Sequence, residues 1–372
     1  MKKTVIIGGG ASGLFLATLL KKDYIILEKT SEIGRKIKIS GGGKCNITNK
    51  NLSPDNYRGD KNFIKKIFNR FDNKDLLRFL DENHLKVKEL KPNQYFFNFS
   101  EELLGFFRQK VKHISFNTEV KDIQGNKIIT NKGVFEAKNI VIATGGASFK
   151  KLGASDIGLR LGEKLGHSFE EFKPALVGLT VQPSEYWFKN LSGISFKADV
   201  YAGFKKYSQD ILFSHKGITG PAILNTSLWW ERGKIKIDFL AGKNVFFYLK
   251  NPDKQISTQL PLPKRFVKEF LKAQQIEDKK VKFLSNQERN RLKNINSYEF
   301  APAGTFGFER AEVSKGGINT DEVDFFMRSK KVGNVFFLGE VLNVTGELGG
   351  YNFQWAFSSG VKCARNISQN LK

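Results

Sequence analysis

The chain has 372 residues, with 61 Lys and Arg against 37 Asp and Glu, a formal net charge of +24. That length predicts more than one packed core, and a hydrophobic share of 40% with 34 Phe excludes a disordered or collagen-like chain. Two cysteines, Cys45 and Cys363, exclude a disulfide framework, and four scattered histidines offer no zinc-type cluster, so no metal site is expected. A reducing, cytoplasmic setting fits this composition best.

Lys2-Lys3 precede seventeen uncharged residues from Thr4 to Leu20, which superficially imitates a membrane span. Gly8-Gly9-Gly10 in its middle argues against one, since each glycine costs roughly 1 kcal/mol relative to Ala inside a helix. Strand, turn and helix are predicted instead. Val5-Ile6-Ile7 forms the first strand, Ser12 to Lys22 a helix, and Tyr24 to Leu27 a second strand ending at Glu28. Within this unit Gly8-Gly9-Gly10-Ala11-Ser12-Gly13 satisfies G-x-G-x-x-G. The first glycine permits a tight turn, the second lets backbone N–H groups approach a pyrophosphate, and the third lets the helix pack on the strand. Glu28, twenty residues after Gly8, stands where a carboxylate can accept from the ribose hydroxyls of a dinucleotide.

The next segment, Gly34-Arg35-Lys36 followed by Ser40-Gly41-Gly42-Gly43-Lys44-Cys45-Asn46, reads as a polar glycine loop able to wrap an extended cofactor. It is not a P-loop, because Lys38 stands where that motif needs Gly and Cys45 where it needs Ser or Thr. A helical pair follows, with Phe63, Ile64, Ile67, Phe68 and Phe71 on one face, then Leu76, Leu77, Phe79 and Leu80. From Glu119 to Val141 short strands alternate with turn signals, leading into the apolar run Ile140 to Ala143 and then Thr144-Gly145-Gly146.

Pro174 marks a change of character. Strand-like stretches at Gly178 to Val181, Ile194 to Tyr201, Lys234 to Phe239 and Asn244 to Leu249 predict an inserted β-rich domain. It continues into a basic helical region, where Lys250 to Lys293 carries twelve Lys and Arg against five Asp and Glu, a local net of +7. Lys264, Lys268 and Lys272 recur every four residues opposite an apolar stripe of Phe266, Val267, Phe270 and Leu271. Such a helix packs on one face and presents the other either to solvent or to phosphates. The expected division is residues 1–172 and 301–372 for a cofactor domain and 173–300 for the insertion. The chain closes with a helix from Phe353 to Ile367.

The stretches GRKIKISGGGKCNITN (Gly34 to Asn49), Ala143 to Gly146, FSHKGITGP (Phe213 to Pro221) and GEVLNVTGELGGYNFQW (Gly339 to Trp355) occur in one order over nearly the whole chain. In these the sequence resembles the BaiN-like flavoproteins, also known as NAD(P)/FAD-dependent or aminoacetone-oxidase-type FAD-binding enzymes. The resemblance implies an α/β fold, a Rossmann-type two-dinucleotide-binding FAD domain with an inserted β-rich domain and a small helical subdomain. It implies FAD, with NADH or NADPH as electron donor. It assigns cofactor contacts to Gly8, Gly10 and Gly13 at the pyrophosphate and Glu28 at the ribose, and further cofactor contacts to Ala11, Ser12, Lys29, Arg35, Lys36 and Val120. Ser40, Gly41, Cys45 and Asn46 are placed toward the flavin, and Ala143, Thr144 and Gly145 close over the cofactor. Gly339 and Glu340 lie by the pyrophosphate and ribityl chain, and Gly349, Gly350, Tyr351 and Asn352 by the isoalloxazine, where backbone N–H groups can stabilise negative charge.

Three departures from the family pattern stand out: Lys44 in place of the usual Arg, Asn343 in place of a common Asp, and no Pro near Phe97 to Ser100. For proton transfer the titratable candidates inside the motifs are Cys45, His215 and Tyr351, whereas His84, His113 and His167 have no comparable context. Two of the three have a structural alternative, a packing thiol for Cys45 and a hydrogen-bonded ring for His215. Family activities are reduction of an activated C=C or oxidation of an amine in a small molecule, and reduction of uridine to dihydrouridine in ribosomal RNA. The charge of +24 favours the RNA substrate, with docking through Lys264, Lys268 and Lys272; a small-molecule enone or amine is the alternative, and a flavin-binding RNA protein with little turnover a third.

Overall fold

The computed structural model describes residues 2–20 and 22–369, so Lys21, near the end of the expected first helix, lies outside the described residues. The chain forms two compact units, Met1–Pro174 with Val313–Lys372, and Ala175–Glu312.

In the first unit, apolar β-branched runs form a parallel sheet, in the order Ile114–Ser115, Tyr24–Leu27, Lys2–Ile7, Gly133–Ile142, Val335–Phe337. Such strands are covered on both faces and so read as continuous hydrophobic segments. Gly133–Ile142 does two jobs. Its first residues pair antiparallel with Lys127–Thr130, which pairs in turn with Val120–Gln124, and its last residues join the parallel sheet. The register sets Ile7 opposite both Leu27 and Ile142, and Ile142 opposite Phe337. Four strands therefore end level, and Gly8, Glu28, Ala143 and Leu338-Gly339 all leave from one edge of the sheet, where ligands of open α/β folds bind.

Against this sheet packs helix Ala11–Leu20, which in turn packs on the long helix Tyr351–Gln369; the Phe15 and Phe357 rings stack at 4.5 Å. The helical pair is Lys61–Phe68 and Asn73–Glu82, with the apolar face Phe63, Ile64, Ile67, Phe68 and Phe71 buried in the same core. Asn46–Asn49 pairs with Gln94–Phe96 and that with Lys88–Lys91 in a separate three-stranded sheet.

The second unit is an antiparallel sheet, in the order Tyr298–Phe300, Ile235–Asp238, Ser195–Ala202, Lys205–Ser214, Gly217–Thr219, Leu179–Thr180, Gly304–Thr305. Its helices Pro221–Trp229 and Lys264–Ala273 share one core with the sheet. The unit extends past the expected boundary at residue 300, because Gly304–Thr305 pairs with Leu179–Thr180 and Glu312 N–H donates to Leu176 O. The expected strand from Asn244 to Leu249 is instead a single 3₁₀ turn, Val245–Phe247, capped by the Asn244 side chain on Phe246 N–H. Val245 and Leu249 reach the core, and the aromatic residues between them do not alternate as a strand would. No helix among the described residues is long and apolar enough to cross a membrane.

Candidate active site

At the level edge of the parallel sheet the glycines are explained by crowding. Gly8 has φ +110°, and a Cβ there would lie 2.4 Å from Ala143 O; one at Gly13 would lie 2.2 Å from Gly8 O. Strand, turn and helix can cross this closely only without side chains. Gly10 differs: a Cβ on it would meet nothing within 4 Å, so the turn opens outward there. The C-terminal motif folds back on the same place. Gly339, at φ +71°, faces Ser12 Oγ, and the Trp355 indole N–H donates to Gly339 O at 3.0 Å.

Glu28 is held rather than free. Gly9 N–H donates to Oε2 at 2.8 Å, while Thr30 N–H and Thr30 Oγ donate to Oε1 at 2.8 and 2.7 Å. A carboxylate has about four acceptor sites, so one remains, on Oε2, for a hydroxyl of a ligand. Lys29 turns away, to pair with Glu119 at 2.9 Å next to Val120, and lowers the Glu119 pKa by hydrogen bond and charge. Its side chain thus meets the start of strand Val120–Gln124.

Residues 34–46 form a short helix, Arg35–Ile39, and a 3₁₀ turn, Ser40–Gly43, in place of an open loop. Left-handed backbone at Gly41, Gly42, Gly43 and Cys45 curls the chain back so that Cys45 N–H donates to Ser40 O at 3.0 Å. Lys36 reaches across to Glu340, with Nζ 3.1 Å from Oε2, and Glu340 Oε1 also accepts from Ser314 N–H at 2.8 Å. Gly146 must lack a Cβ, which would stand 2.6 Å from Glu340 Oε1. Asn46 donates its Nδ2 to Gln94 Oε1 at 2.7 Å, fixing the amide so that Oδ1 is buried with no donor among the described residues. Thr144 Oγ is likewise buried with no partner, beside Gly145 at φ +70°, where a Cβ would meet nothing within 4 Å.

The third element is the start of the long helix. Gly350, at φ +90°, presses on the Thr48 backbone, where a Cβ would sit 2.6 Å away, and Asn49 Nδ2 donates to Gly349 O at 3.1 Å. The Asn352 side chain is committed to Gly346, accepting from its N–H and donating to its carbonyl, both at 2.9 Å. Asn343 accepts from Arg58, whose other arm pairs with Glu170 at 3.0 Å.

The three proton-transfer candidates separate. Cys45 has no exposed surface and lies in the first unit's core, where burial pushes its thiol up to about 12 against a smaller effect of Ser40. Tyr351 is buried, donates its hydroxyl to Asn51 O at 3.3 Å, and is pushed well up by burial and by the Glu347 charge. Both groups therefore keep their protons, closed off from solvent in this arrangement. His215 is exposed at the tip of the turn joining Lys205–Ser214 to Gly217–Thr219, in the second unit. The glycines of that motif are crossing points too, since a Cβ on Gly217 would lie 2.3 Å from Leu179 O.

One histidine that the sequence gave no reason to single out is firmly held. His167 is buried with Nε2 2.7 Å from Ser329 Oγ and Nδ1 3.2 Å from Glu322, which also receives Lys331 at 2.7 Å. Ser329 Oγ also accepts from the N–H groups of Lys331 and Val332, and its burial closes it to substrate, so the cluster is a clamp. In the second unit Lys264, Lys268 and Lys272 are all exposed on helix Lys264–Ala273, while Phe266, Val267, Phe270 and Leu271 are buried.

The described residues fit an extended dinucleotide: an open turn at Gly10, an acceptor left on Glu28, orphaned polar atoms on Asn46 and Thr144, and open backbone at Gly145. Compared with known proteins, residues 2–366 match the family described as HI0933-like protein Rossmann domain. The ribosomal RNA dihydrouridine synthase of Haemophilus influenzae is 34% identical, over 99% of this chain and 98% of that protein. That of Escherichia coli is 31% identical, over 98% and 97%. The 3-dehydro-bile acid delta(4,6)-reductase of Clostridium scindens is 28% identical, over 99% and 100%. Among solved structures, the 3-ketosteroid-delta4-(5alpha)-dehydrogenase of Rhodococcus jostii RHA1 shares the fold, with a TM-score of 0.52 at 13% identity over 97% of this chain and 96% of that one. The match spans the cofactor edge and both units, and the chain belongs to the HI0933-like, or BaiN-like, family of FAD-dependent oxidoreductases.

Proposed function

We propose that this chain reduces a uridine of ribosomal RNA to dihydrouridine, taking electrons from NADH or NADPH. The observation that carries the reading is the likeness, over nearly the full length of both partners, to two ribosomal RNA dihydrouridine synthases. The net charge of +24 supports it, because affinity for RNA grows with each phosphate contact.

When bound, FAD supplies the hydride for the uracil 5,6 double bond, whose conjugation to a carbonyl makes it an acceptor. The chain's own residues bind and orient. Backbone N–H groups around Gly10, at the start of helix Ala11–Leu20, would hold the pyrophosphate, and the spare lone pair of Glu28 would receive a ribose hydroxyl. Asn46 Oδ1 and Thr144 Oγ, buried without a protein partner among the described residues, would be the polar atoms left to hold the cofactor. The Lys36–Glu340 pair ties the glycine loop to the C-terminal motif. Cys45 and Tyr351 act through their backbones and packing. His215, the exposed one of the three candidates, is assigned the proton transfer from its imidazole. Exposed Lys264, Lys268 and Lys272 dock the RNA.

The test is reconstitution with FAD-loaded protein, NADH or NADPH, and ribosomal RNA lacking dihydrouridine, read by nucleoside mass spectrometry. Dihydrouridine formation is expected, with His215→Gln lowering turnover on the order of 100-fold while FAD stays bound. The likeness to a bile acid reductase favours a second reading, reduction of a small-molecule enone. Donor oxidation driven by enones and indifferent to RNA would establish it instead.

A further inference from the structure

Two of the most exposed aromatic rings of the second unit lie in or just before its basic segment. Phe247 is 54% exposed and Phe283 is 62% exposed, each in a 3₁₀ turn whose apolar neighbours are buried: Val245 and Leu249 for the first, Val281 and Leu284 for the second. The rings are thus held outward on anchored backbone. The two loops are stitched together, since Lys282 N–H donates to Pro252 O at 3.0 Å and Val281 N–H to Lys254 O at 3.1 Å.

Lysines accompany both rings. Lys250 Nζ lies 4.6 Å and Lys243 Nζ 5.7 Å from the Phe247 centroid, and Lys282 Nζ lies 5.3 Å from that of Phe283. Two of the local acids are paired, Asp253 with Lys282 at 2.6 Å and Lys280 at 4.0 Å and Glu288 with Lys279 at 2.9 Å, and a third, Asp278, is bound to Ser257. Lys243, Lys250 and Lys254 carry no ion pair among the described residues, like Lys264, Lys268 and Lys272 on the neighbouring helix. Unspent positive charge beside exposed, rigid aromatic faces calls for a partner that is both anionic and flat-faced. A second copy of this chain does not qualify, because a two-fold contact would set these lysines against one another.

We infer that Phe247 and Phe283 are stacking positions for unpaired bases, with Lys243, Lys250 and Lys254 on the flanking phosphates. The inference rests on the RNA reading above and narrows it to a single-stranded or looped segment. Duplex RNA hides its base faces and offers these rings nothing, whereas every unpaired base presents a π-face.

The experiment uses the full-length, FAD-loaded chain and two probes, a short unstructured uridine-rich oligoribonucleotide and its perfect duplex, with binding read by fluorescence anisotropy across a salt series. The Phe247→Leu/Phe283→Leu variant keeps apolar bulk at exposed sites and so tests stacking alone. It is expected to weaken single-strand binding on the order of tenfold or more while leaving duplex binding near wild type. Lys243→Glu/Lys250→Glu is expected to weaken both and to flatten the salt dependence. Single-strand binding unchanged in the Leu variant overturns the inference even if wild type makes dihydrouridine. Wild-type protein that binds neither probe and makes no dihydrouridine overturns the RNA reading itself.

Discussion

In the first unit, segments far apart in the chain meet with no room for one extra carbon: Gly8 on Ala143, Gly350 on Thr48, Gly146 on Glu340. In the second, the distinctive residues are outside, with Lys264, Lys268, Lys272, Phe247 and Phe283 all exposed over a core that would close without them. A cofactor edge is built by backbone, so it is intolerant of side chains; a docking surface is built by side chains on an indifferent backbone. Substitutions in the first unit should therefore cost fold and cofactor together, and those on the second unit's surface should cost binding alone.

The largest effect is expected at Gly8. Gly8→Val places a branched side chain at φ +110° against Ala143 O and should destabilise by roughly 3 kcal/mol or more, with FAD lost, as read by denaturant melts and flavin absorbance. Next comes Glu28→Ala, which strips the acceptor from Gly9 N–H and Thr30 and should weaken FAD binding on the order of 10- to 100-fold in titrations.

Smaller, and dependent on pH, is the Glu322 clamp. Burial raises its pKa, but Lys331 and the Ser168 N–H and hydroxyl more than offset this and hold it at about 2. A carboxyl depressed in the folded state stabilises above its unfolded value and loses that contribution as pH falls toward the folded one. The advantage of wild type over Glu322→Gln should thus be full above about pH 4.5 and vanish toward pH 2, in melts taken across that window. The smallest effect on stability belongs to Lys264→Glu/Lys268→Glu/Lys272→Glu, within about 0.5 kcal/mol, with FAD retained and RNA product lost. Full RNA activity in that variant would break the contrast between the units.

What could be read in the sequence follows the same divide. The strand-glycine-helix-acid spacing from Val5 to Glu28 was legible because its constraints are local: the turn at Gly8, the helix behind it and the carboxylate at the next strand end lie within one βαβ half. The Lys36–Glu340 pair was not, because its partners lie 304 residues apart and neither has a local pattern that names the other. Nor was the His167 clamp, whose Ser329 and Glu322 come from a distant loop. Asn244 to Leu249 misled because a run of β-branched and aromatic residues has the composition of a strand, while the Asn244 cap and the absence of a pairing partner decide for a turn. The curl of the backbone at Cys45, φ +49°, was not legible either, because left-handed backbone at a non-glycine residue has no compositional signal.

The most direct measurement is the dihydrouridine content of purified ribosomal RNA, by nucleoside mass spectrometry, from cells with and without this gene. Loss of the signal on deletion, restored by the wild-type gene and not by the Gly8→Val variant, is the predicted result. An unchanged level in the deletion strain would contradict the assignment of ribosomal RNA as substrate.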